Sequence, residues 1–161
     1  MPVLSVTFGR VRDYQIRDIN NMGAAMMPAA ASTLLAYFRT FDAAPRNFDA
    51  IITGDLGMVG SELLRIQMAR EGYDLSNHLD CGCLLYDPLH QDVQAGGSGP
   101  GCSASVLCSW VLPRLQSGEW KRVLFLATGA LMSQTTFLQG ESIPGIAHAV
   151  ELAAPGEEEN A

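Results

Sequence analysis

The residues of this chain that could do chemistry are concentrated in one glycine-rich turn, residues 94–101, with the sequence QAGGSGPG. Glycines just before a helix can let backbone N–H groups point at a carboxylate or phosphate. The turn lacks the G-K-S/T of a P-loop and the G-x-G-x-x-G spacing of a dinucleotide site. Packing of the following helix against a sheet would explain the glycines equally well. Anion binding and structural packing therefore both remain open.

The cysteines and histidines do not form a metal site or a redox pair. The C-x-C and C-x5-C spacings match neither a zinc ribbon nor a C-x-x-C motif, and the three histidines are scattered. We expect no cofactor and no metal. We expect all four cysteines to be small buried residues in a reducing compartment, and His148 to make a hydrogen-bonded contact within a strand. These residues are Cys81, Cys83, Cys102, Cys108, His78, His90 and His148.

Three further polar residues lie where loops meet regular elements. Asp55 follows one strand and precedes one helix, so we expect it to cap that helix, although strand ends are also where ligands bind in parallel sheets. Glu141 and Ser142 lie in the long connection 129–145. Because long structured loops are usually functional, these two residues are expected to shape a pocket.

Composition favours one compact domain. The chain has 161 residues, is 48% hydrophobic and carries a net charge of −7. Its 10 basic residues form no run, which argues against nucleic acid and against direct attraction to an anionic membrane. No apolar run is long enough to span a bilayer, and residues 1–17 lack the apolar core of a signal peptide. We expect an intracellular, soluble protein with one domain at 1–153 and a solvated acidic tail at 154–161.

Hydrophobic periodicity predicts the element order βαβαβαββ. We expect strands at 3–16, 48–53, 81–86, 121–128 and 146–152, and helices at 29–41, 57–70 and 102–115. A polar loop is expected at 72–80, before the third strand. In the second helix Val59, Leu63 and Ile66 are expected to form the buried stripe. Alternating strands and helices indicate an α/β fold with a mainly parallel sheet, helices on both faces, and a last strand antiparallel to its neighbour.

The helix at 102–115 has almost no polar side. Apolar residues occupy every direction around its axis, and a helix of this kind is normally covered on all sides. We therefore expect other structure to surround it.

Six segments resemble the C-terminal half of the stage V sporulation protein AD family. They are NNMGAAMMPAAA (20–31), TGDLGMVGSELL (53–64), DCGCLLYD (80–87), QDVQAGGSGPGCSAS (91–105), RVLFLATGALMS (122–133) and QGESIPGIAHAV (139–150). The resemblance implies a thiolase-like fold, in which two βαβαβαββ halves pack together with their third helices in a central layer. The N-terminal half of that family is missing from these 161 residues, and a truncated or split reading frame would explain the start at Met1.

The missing half implies a partner. Without it the helix at 102–115 would expose an apolar surface of a kind that normally marks an association site. The partner would be a separate N-terminal polypeptide or a second copy of this chain about a two-fold axis.

The resemblance does not imply catalysis. In thiolases and ketoacyl synthases the glycine turn supplies a histidine or asparagine, and a later C-x-G supplies a cysteine. Here the turn has neither, with Gln94 and His90 the nearest substitutes, and residues 127–129 read Ala-Thr-Gly. We therefore expect a protein that is not an enzyme.

The function implied by the resemblance is uptake of dipicolinic acid, as its calcium chelate, into the developing spore, with a possible link to germination. The ligand would bind in a degenerate acyltransferase-like pocket, and membrane-embedded SpoVA proteins would hold the chain at the spore inner membrane. Two alternatives remain open: an acyltransferase half acting with a separate N-terminal chain that carries the nucleophile, or a ligand-free scaffold of the SpoVA complex. The expected ligand-binding residues are Gly97, Ser98, Gly99, Cys102, Thr128, Glu141 and Ser142.

Overall fold

A computed structural model describes residues 1–157 and contains one five-stranded mixed sheet with the strand order β1-β5-β4-β2-β3. Strand β2 is parallel to both of its neighbours, β3 and β4, whereas β5 is antiparallel to β4 and to β1. The expected α/β class and the antiparallel last strand are confirmed. The strands are β1 (Val3–Thr7), β2 (Ala50–Thr53), β3 (His78–Asp80), β4 (Arg122–Ala130) and β5 (Gly145–Ala153).

Helices α1 (Met22–Phe41) and α2 (Gly57–Arg70) cover one face of the sheet, which we call the closed face. The two helices approach closely where Gly23 meets Gly60: a Cβ on Gly60 would lie 2.8 Å from the Cα of Gly23. This contact places the two helices side by side on one face of the sheet, with α1 over β4 and β5 and α2 beside β3. Their core has as its largest fully buried members Leu34, Tyr37, Phe38, Ile51, Leu64, Met68, Leu124 and Leu126.

The opposite face, which we call the open face, carries one helix. It runs from α4 (Pro100–Val106) through a π-helical turn (Leu107–Val111) into α5 (Leu112–Gln116). We call these residues, 100–116, the π-containing helix. Its inward side chains pack against β2 and β4 and are buried: Cys102, Val106, Val111 and Leu115.

The π-containing helix is not surrounded in this chain. Ala104 and Cys108 are exposed, and Leu107 and Trp110 are only half-buried. The expectation of a helix covered on all sides is therefore wrong for the chain by itself, and its bare side is the one expected to need a partner. All four cysteines are free thiols; Cys81 and Cys102 are buried, whereas Cys83 is half-buried, so burial of all four is also wrong.

Two boundaries near the N-terminus differ from the predicted ones. β1 ends at Thr7 instead of residue 16, and beyond it the backbone pairs with β5 through an isolated Arg12–Gly145 bridge. α1 begins at Met22 instead of residue 29, because the side chain of Asn21 accepts a hydrogen bond from the N–H of Ala24 (3.3 Å). Pro28 therefore lies inside α1 instead of in its first turn.

The sequence CGCLLY forms a helical turn, α3 (Cys81–Leu84), and not a strand. The strand lies just before it, in the region predicted to be a polar loop. Asp80 ends that strand, and its carboxylate accepts a hydrogen bond from the N–H of Cys83 (3.2 Å), which starts the turn. The aspartate cap thus converts an apolar segment of strand-like composition into a helix start.

The buried stripe of α2 was assigned to the wrong side. Val59 and Ile66 are 45% and 44% exposed, whereas Leu64 and Met68 are fully buried. The small residues Gly60 and Ser61 share the buried side, because a close approach to α1 requires small side chains there. Large apolar residues are therefore a poor guide to the inner side of this helix.

The long connection after β4 contains a short helix, α6 (Gln134–Leu138), and ends at β5. After β5, the N–H of Ala154 donates to the carbonyl of Lys121 (2.8 Å), and Glu157 lies 3.6 Å from the Lys121 amine. The rest of the expected acidic tail, 158–161, falls outside the described residues.

Candidate functional site

The candidate site lies where β2 and β4 end beside the glycine turn, and Asp55 is its central residue. One carboxylate oxygen of Asp55 accepts a hydrogen bond from the hydroxyl of Thr128 (2.8 Å). The other accepts from the N–H of Gly99 (2.7 Å) and from the hydroxyl of Ser98 (3.4 Å). The Asp55 N–H in turn donates to the Thr128 hydroxyl (3.0 Å). Asp55 therefore joins the ends of β2 and β4 to the glycine turn.

Gly54, which directly follows β2, allows Asp55 and Thr128 to approach each other. A Cβ on Gly54 would lie 2.8 Å from the hydroxyl oxygen of Thr128, so a larger residue would push β4 away. The structure thus brings together Ser98, Gly99 and Thr128, which the sequence analysis had named as site residues. They surround the carboxylate of Asp55, which had been expected to cap a helix.

The expected capping role belongs to Asp80 and not to Asp55. Asp80 is 2% exposed, and its carboxylate accepts hydrogen bonds from the N–H groups of Leu56 (2.8 Å) and Gly57 (2.9 Å) at the start of α2. It also accepts from the hydroxyl of Thr53 (2.6 Å). Burial raises the pKa of Asp80, and these hydrogen bonds oppose the rise. Asp80 therefore starts both α2 and α3 from one position at the end of β3.

Several N–H groups in the glycine turn and at the start of the helix after it already have acceptors within the chain. The N–H of Gly97 donates to the carbonyl of Gly82 (2.8 Å), that of Gly99 to Asp55, and that of Cys102 to the carbonyl of Gly99 (3.1 Å). Pro100 has no N–H. Within residues 1–157, the Ser98 N–H has no protein acceptor. The donor free to meet a ligand in residues 97–100 is thus Ser98.

A cleft of about 670 Å³ opens over this cluster, and we call it the glycine-turn cleft. Its walls come from the segment before α1, the start of α2 and the glycine turn. Three carboxylates line it and no lysine or arginine does. The lining residues that matter below are Asp18, Asp55, Asp92, Gly97 and Ser98.

The other predicted site residues lie elsewhere or point inward. Cys102 is buried beneath the turn, with its sulfur 3.9 Å from the carbonyl oxygen of Gly54. Glu141 is exposed, and Ser142 donates a hydrogen bond to Asp13 (2.7 Å) in the segment after β1. Within residues 1–157, Glu141 and Ser142 share no hydrogen bond with Asp55 and do not line the cleft.

The thiols near the site are poor nucleophiles. Burial, together with the nearby Asp80, raises the pKa of Cys81 to about 12. Burial and the nearby Asp55 raise the pKa of Cys102 to about 11. At neutral pH both groups are protonated, and the thiolate is the reactive form.

His78 is a site neighbour that the sequence did not reveal, because it lay in a predicted loop. The Thr53 hydroxyl donates to Asp80, so the ring Nε2 of His78, 2.9 Å away, donates to Thr53. The other ring nitrogen is buried and has no partner in residues 1–157. Burial, with a smaller effect of Arg65, lowers the pKa of His78 to about 3. His148, by contrast, makes its expected contact: its Nδ1 accepts from the Gly9 N–H (3.0 Å).

Two other kinds of feature are absent from residues 1–157. No group of three or more His, Cys, Asp or Glu side chains is arranged to hold a metal ion. No helix in that part of the chain has the length and hydropathy needed to cross a membrane.

Fold and site together define an α/β protein with a cleft at the carboxyl ends of parallel strands. Comparison with known proteins narrows this class. The family described as stage V sporulation protein AD matches residues 1–153. The stage V sporulation protein AD of Bacillus subtilis (strain 168) is 43% identical over 155 residues, which are 96% of this chain and 46% of that protein.

The chain therefore belongs to the stage V sporulation protein AD family, and this membership supports a role in sporulation. It spans about half the length of the relative it matches.

Proposed function

We propose that this chain binds dipicolinic acid, as its calcium chelate, in the glycine-turn cleft and acts in its uptake into the spore. The observation that carries the proposal is the cleft of about 670 Å³ lined by Asp55 and Ser98, at the carboxyl ends of parallel strands, where ligands commonly bind. Thr128 does not line the cleft but hydrogen-bonds to Asp55. Family membership supplies the link to sporulation.

The charge of the cleft favours the chelate over the free acid. Asp18, Asp55 and Asp92 line it without a lysine or arginine, so a free aromatic dianion would be repelled. In the chelate, calcium neutralises the two ligand carboxylates and presents a cation to the aspartates. The Ser98 hydroxyl and N–H are then available to a ligand oxygen.

The site supports ligand binding without a catalytic reaction. Cys81 and Cys102 have raised pKa values, so neither supplies a thiolate at neutral pH. The residues around Asp55 are serine, threonine and glycine, which orient a ligand but do not act as a base. The acyltransferase alternative would require a nucleophile from another chain.

The test is a calorimetric titration of the chain with calcium dipicolinate, with calcium alone and with dipicolinate alone. We expect heat of binding for the chelate and much weaker binding for either component. Ser98→Trp should fill the cleft and weaken binding at least tenfold, whereas Ser76→Trp, at an exposed loop position, should not change it. Equal binding by the Ser98→Trp protein would refute this placement of the ligand.

We also propose that a second polypeptide covers the open face. Ala104, Leu107 and Cys108 on the π-containing helix and Val6 and Phe8 beside β1 leave apolar surface uncovered. Because the chain matches 46% of its Bacillus subtilis relative, the remaining part of that protein is the first candidate for the cover, and a second copy of this chain is the other. Association with the spore inner membrane would come through membrane-embedded SpoVA proteins.

Light scattering of the purified chain, with and without a co-expressed polypeptide equivalent to the rest of the relative, tests the cover. A one-to-one complex or a dimer supports the proposal. A monodisperse monomer that also ignores the co-expressed polypeptide contradicts it.

A further inference from the structure

Asp80 does not line the glycine-turn cleft, yet hydrogen bonds connect it to two of the cleft walls. Its side chain is buried behind them, at 2% exposure. We propose that Asp80 is a positioning residue, which holds the start of α2 and the glycine turn at the separation that forms the cleft. The bearing on ligand binding rests on the proposed function, whereas the hydrogen bonds are properties of the fold.

The first wall is the start of α2, and Asp80 holds it directly. Oδ1 of Asp80 accepts a hydrogen bond from the N–H of Gly57 (2.9 Å), and Oδ2 accepts one from the N–H of Leu56 (2.8 Å). Both Gly57 and Leu56 line the cleft. The start of α2 therefore cannot move away from the end of β3 without breaking a hydrogen bond to Asp80.

The second wall is the glycine turn, and Asp80 reaches it through α3. The same Oδ1 atom accepts a hydrogen bond from the N–H of Cys83 (3.2 Å). Within α3, the carbonyl of Gly82 accepts a hydrogen bond from the N–H of Gly97 (2.8 Å), and Gly97 lines the cleft. One carboxylate oxygen is thus connected to both walls, directly on one side and through one helical turn on the other.

The walls and α3 meet at glycines that leave no room for adjustment. A Cβ on Gly82 would lie 2.5 Å from the carbonyl oxygen of Gly97 and 2.9 Å from Oδ1 of Asp80. A Cβ on Gly57, where φ is +65°, would lie 2.6 Å from the carbonyl oxygen of Ala95 in the glycine turn. Because closely packed backbones transmit displacements, a shift at Asp80 would reach the glycine turn.

The charge of Asp80 makes this arrangement tight. Besides the three N–H groups, the hydroxyl of Thr53 donates to Oδ2 (2.6 Å), so four neutral donors surround the carboxylate. Within residues 1–157 no lysine or arginine forms an ion pair with Asp80. A buried charge without a counter-ion is costly unless its hydrogen bonds are complete. Movement of any one donor away from the carboxylate is therefore opposed more strongly than the loss of a bond between neutral groups.

Amide hydrogen exchange followed by NMR tests the positioning role, because it reports on Gly57 and Gly97 separately. Asp80→Ala removes the shared acceptor, so we expect both amides to exchange at least tenfold faster. Leu64→Ala is the matched control, because it removes a fully buried side chain of α2 and leaves the hydrogen bonds of Asp80 in place. It should destabilise the chain without releasing these two amides. Equal acceleration in both variants would mean that Asp80 contributes only to general stability, and it would overturn the proposal.

Cys83→Pro isolates the link through α3 and decides the matter if Asp80→Ala does not fold. Proline is tolerated in the first turn of a helix, and at this position it removes the N–H that Asp80 accepts from. The Gly97 amide should lose protection, whereas the Gly57 amide, which Asp80 holds directly, should keep it. Unchanged exchange at Gly97 would overturn the proposal.

A calorimetric titration with calcium dipicolinate extends the test to the cleft. Asp80→Ala should weaken binding at least tenfold although Asp80 is buried behind the walls, and Leu64→Ala should keep binding below its melting temperature. Unchanged binding by the Asp80→Ala protein would overturn the role of Asp80 in shaping the cleft. If the unsubstituted chain does not bind the chelate, the proposed function fails, and the exchange rates at Gly57 and Gly97 still decide whether Asp80 positions the two walls.

Discussion

The two faces of the sheet differ in how completely helices cover them. On the closed face, α1 and α2 leave Leu34 and Leu64 at 0% exposure, and even a carboxylate is enclosed there. On the open face, the π-containing helix protects only its own inward side, and Val6 and Phe8 remain 46% and 83% exposed. The closed face is therefore the more completely buried of the two, and the open face carries the uncovered surface for which we propose a partner.

The enclosed carboxylate shows how complete the closed face is. Glu151 is 4% exposed and accepts hydrogen bonds from the hydroxyls of Tyr37 (2.6 Å) and Ser5 (2.8 Å) and from Nε of Arg122 (2.9 Å). Burial alone would raise the pKa of Glu151, but these hydrogen bonds lower it overall. A charge enclosed in this way is tolerable because the carboxylate is hydrogen-bonded and paired with Arg122.

The largest effect is expected for Leu34→Ala on the closed face. Leu34 is fully buried in the α1 core, so its truncation should lower the free energy of unfolding by about 2–5 kcal/mol. Leu107→Ala on the open face should cost about 1 kcal/mol or less, because that side chain is only half-buried. Urea denaturation of both proteins measures the difference. Equal losses would mean that the two faces are not distinct.

The next largest effect is expected from acid, which should lower the free energy of unfolding because His78 is buried on the closed face. The unfolded chain takes up the proton near pH 6.5 and the folded chain only near pH 3, so the free energy of unfolding falls as pH drops. Between pH 6.5 and 4.5 the loss should be about 2 kcal/mol. His78→Gln should remove this pH dependence but keep the further loss below about pH 4.5, where the unfolded chain protonates Glu151 while the lowered pKa keeps that carboxylate charged in the fold. Denaturation curves at four pH values would show whether the two proteins differ.

A smaller loss is expected for Asp55→Asn at the edge between the two faces. The amide keeps one acceptor for Thr128 or for the Gly99 N–H but loses the charge that both donors meet. We expect a cost of about 1 kcal/mol. Asp80→Asn, in the buried cap, should cost more, because it sits among four donors. The reverse order would show that the glycine turn, and not the cap, holds α2 in place.

Much of this architecture follows from the sequence. Periodicity gave the α/β class, the element order and the antiparallel last strand, because β4 and β5 have strong local signals. The misplaced elements were decided by a single local side-chain cap or by small residues: Asp80 starts α3, and Gly60 packs against Gly23 where α2 meets α1. Of the candidate site, Ser98, Gly99 and Thr128 were expected from the glycine turn and the family resemblance, and the structure places them together around Asp55. The central position of Asp55 was not expected, because Gly99 and Thr128 are 44 and 73 residues away in the chain.

The smallest effect on stability should accompany the largest effect on assembly. Leu107 is half-buried on the outer side of the π-containing helix, so Leu107→Asp should change the free energy of unfolding of the isolated chain by about 1 kcal/mol or less. In a complex, the same aspartate would be buried without a partner against apolar surface, which is costly. We therefore expect light scattering to show loss of the dimer or of the co-expressed complex, while Glu62→Leu, on exposed α2, keeps it. A Leu107→Asp protein that still assembles would place the interface away from the open face, and the uncovered side of this helix would then need another explanation.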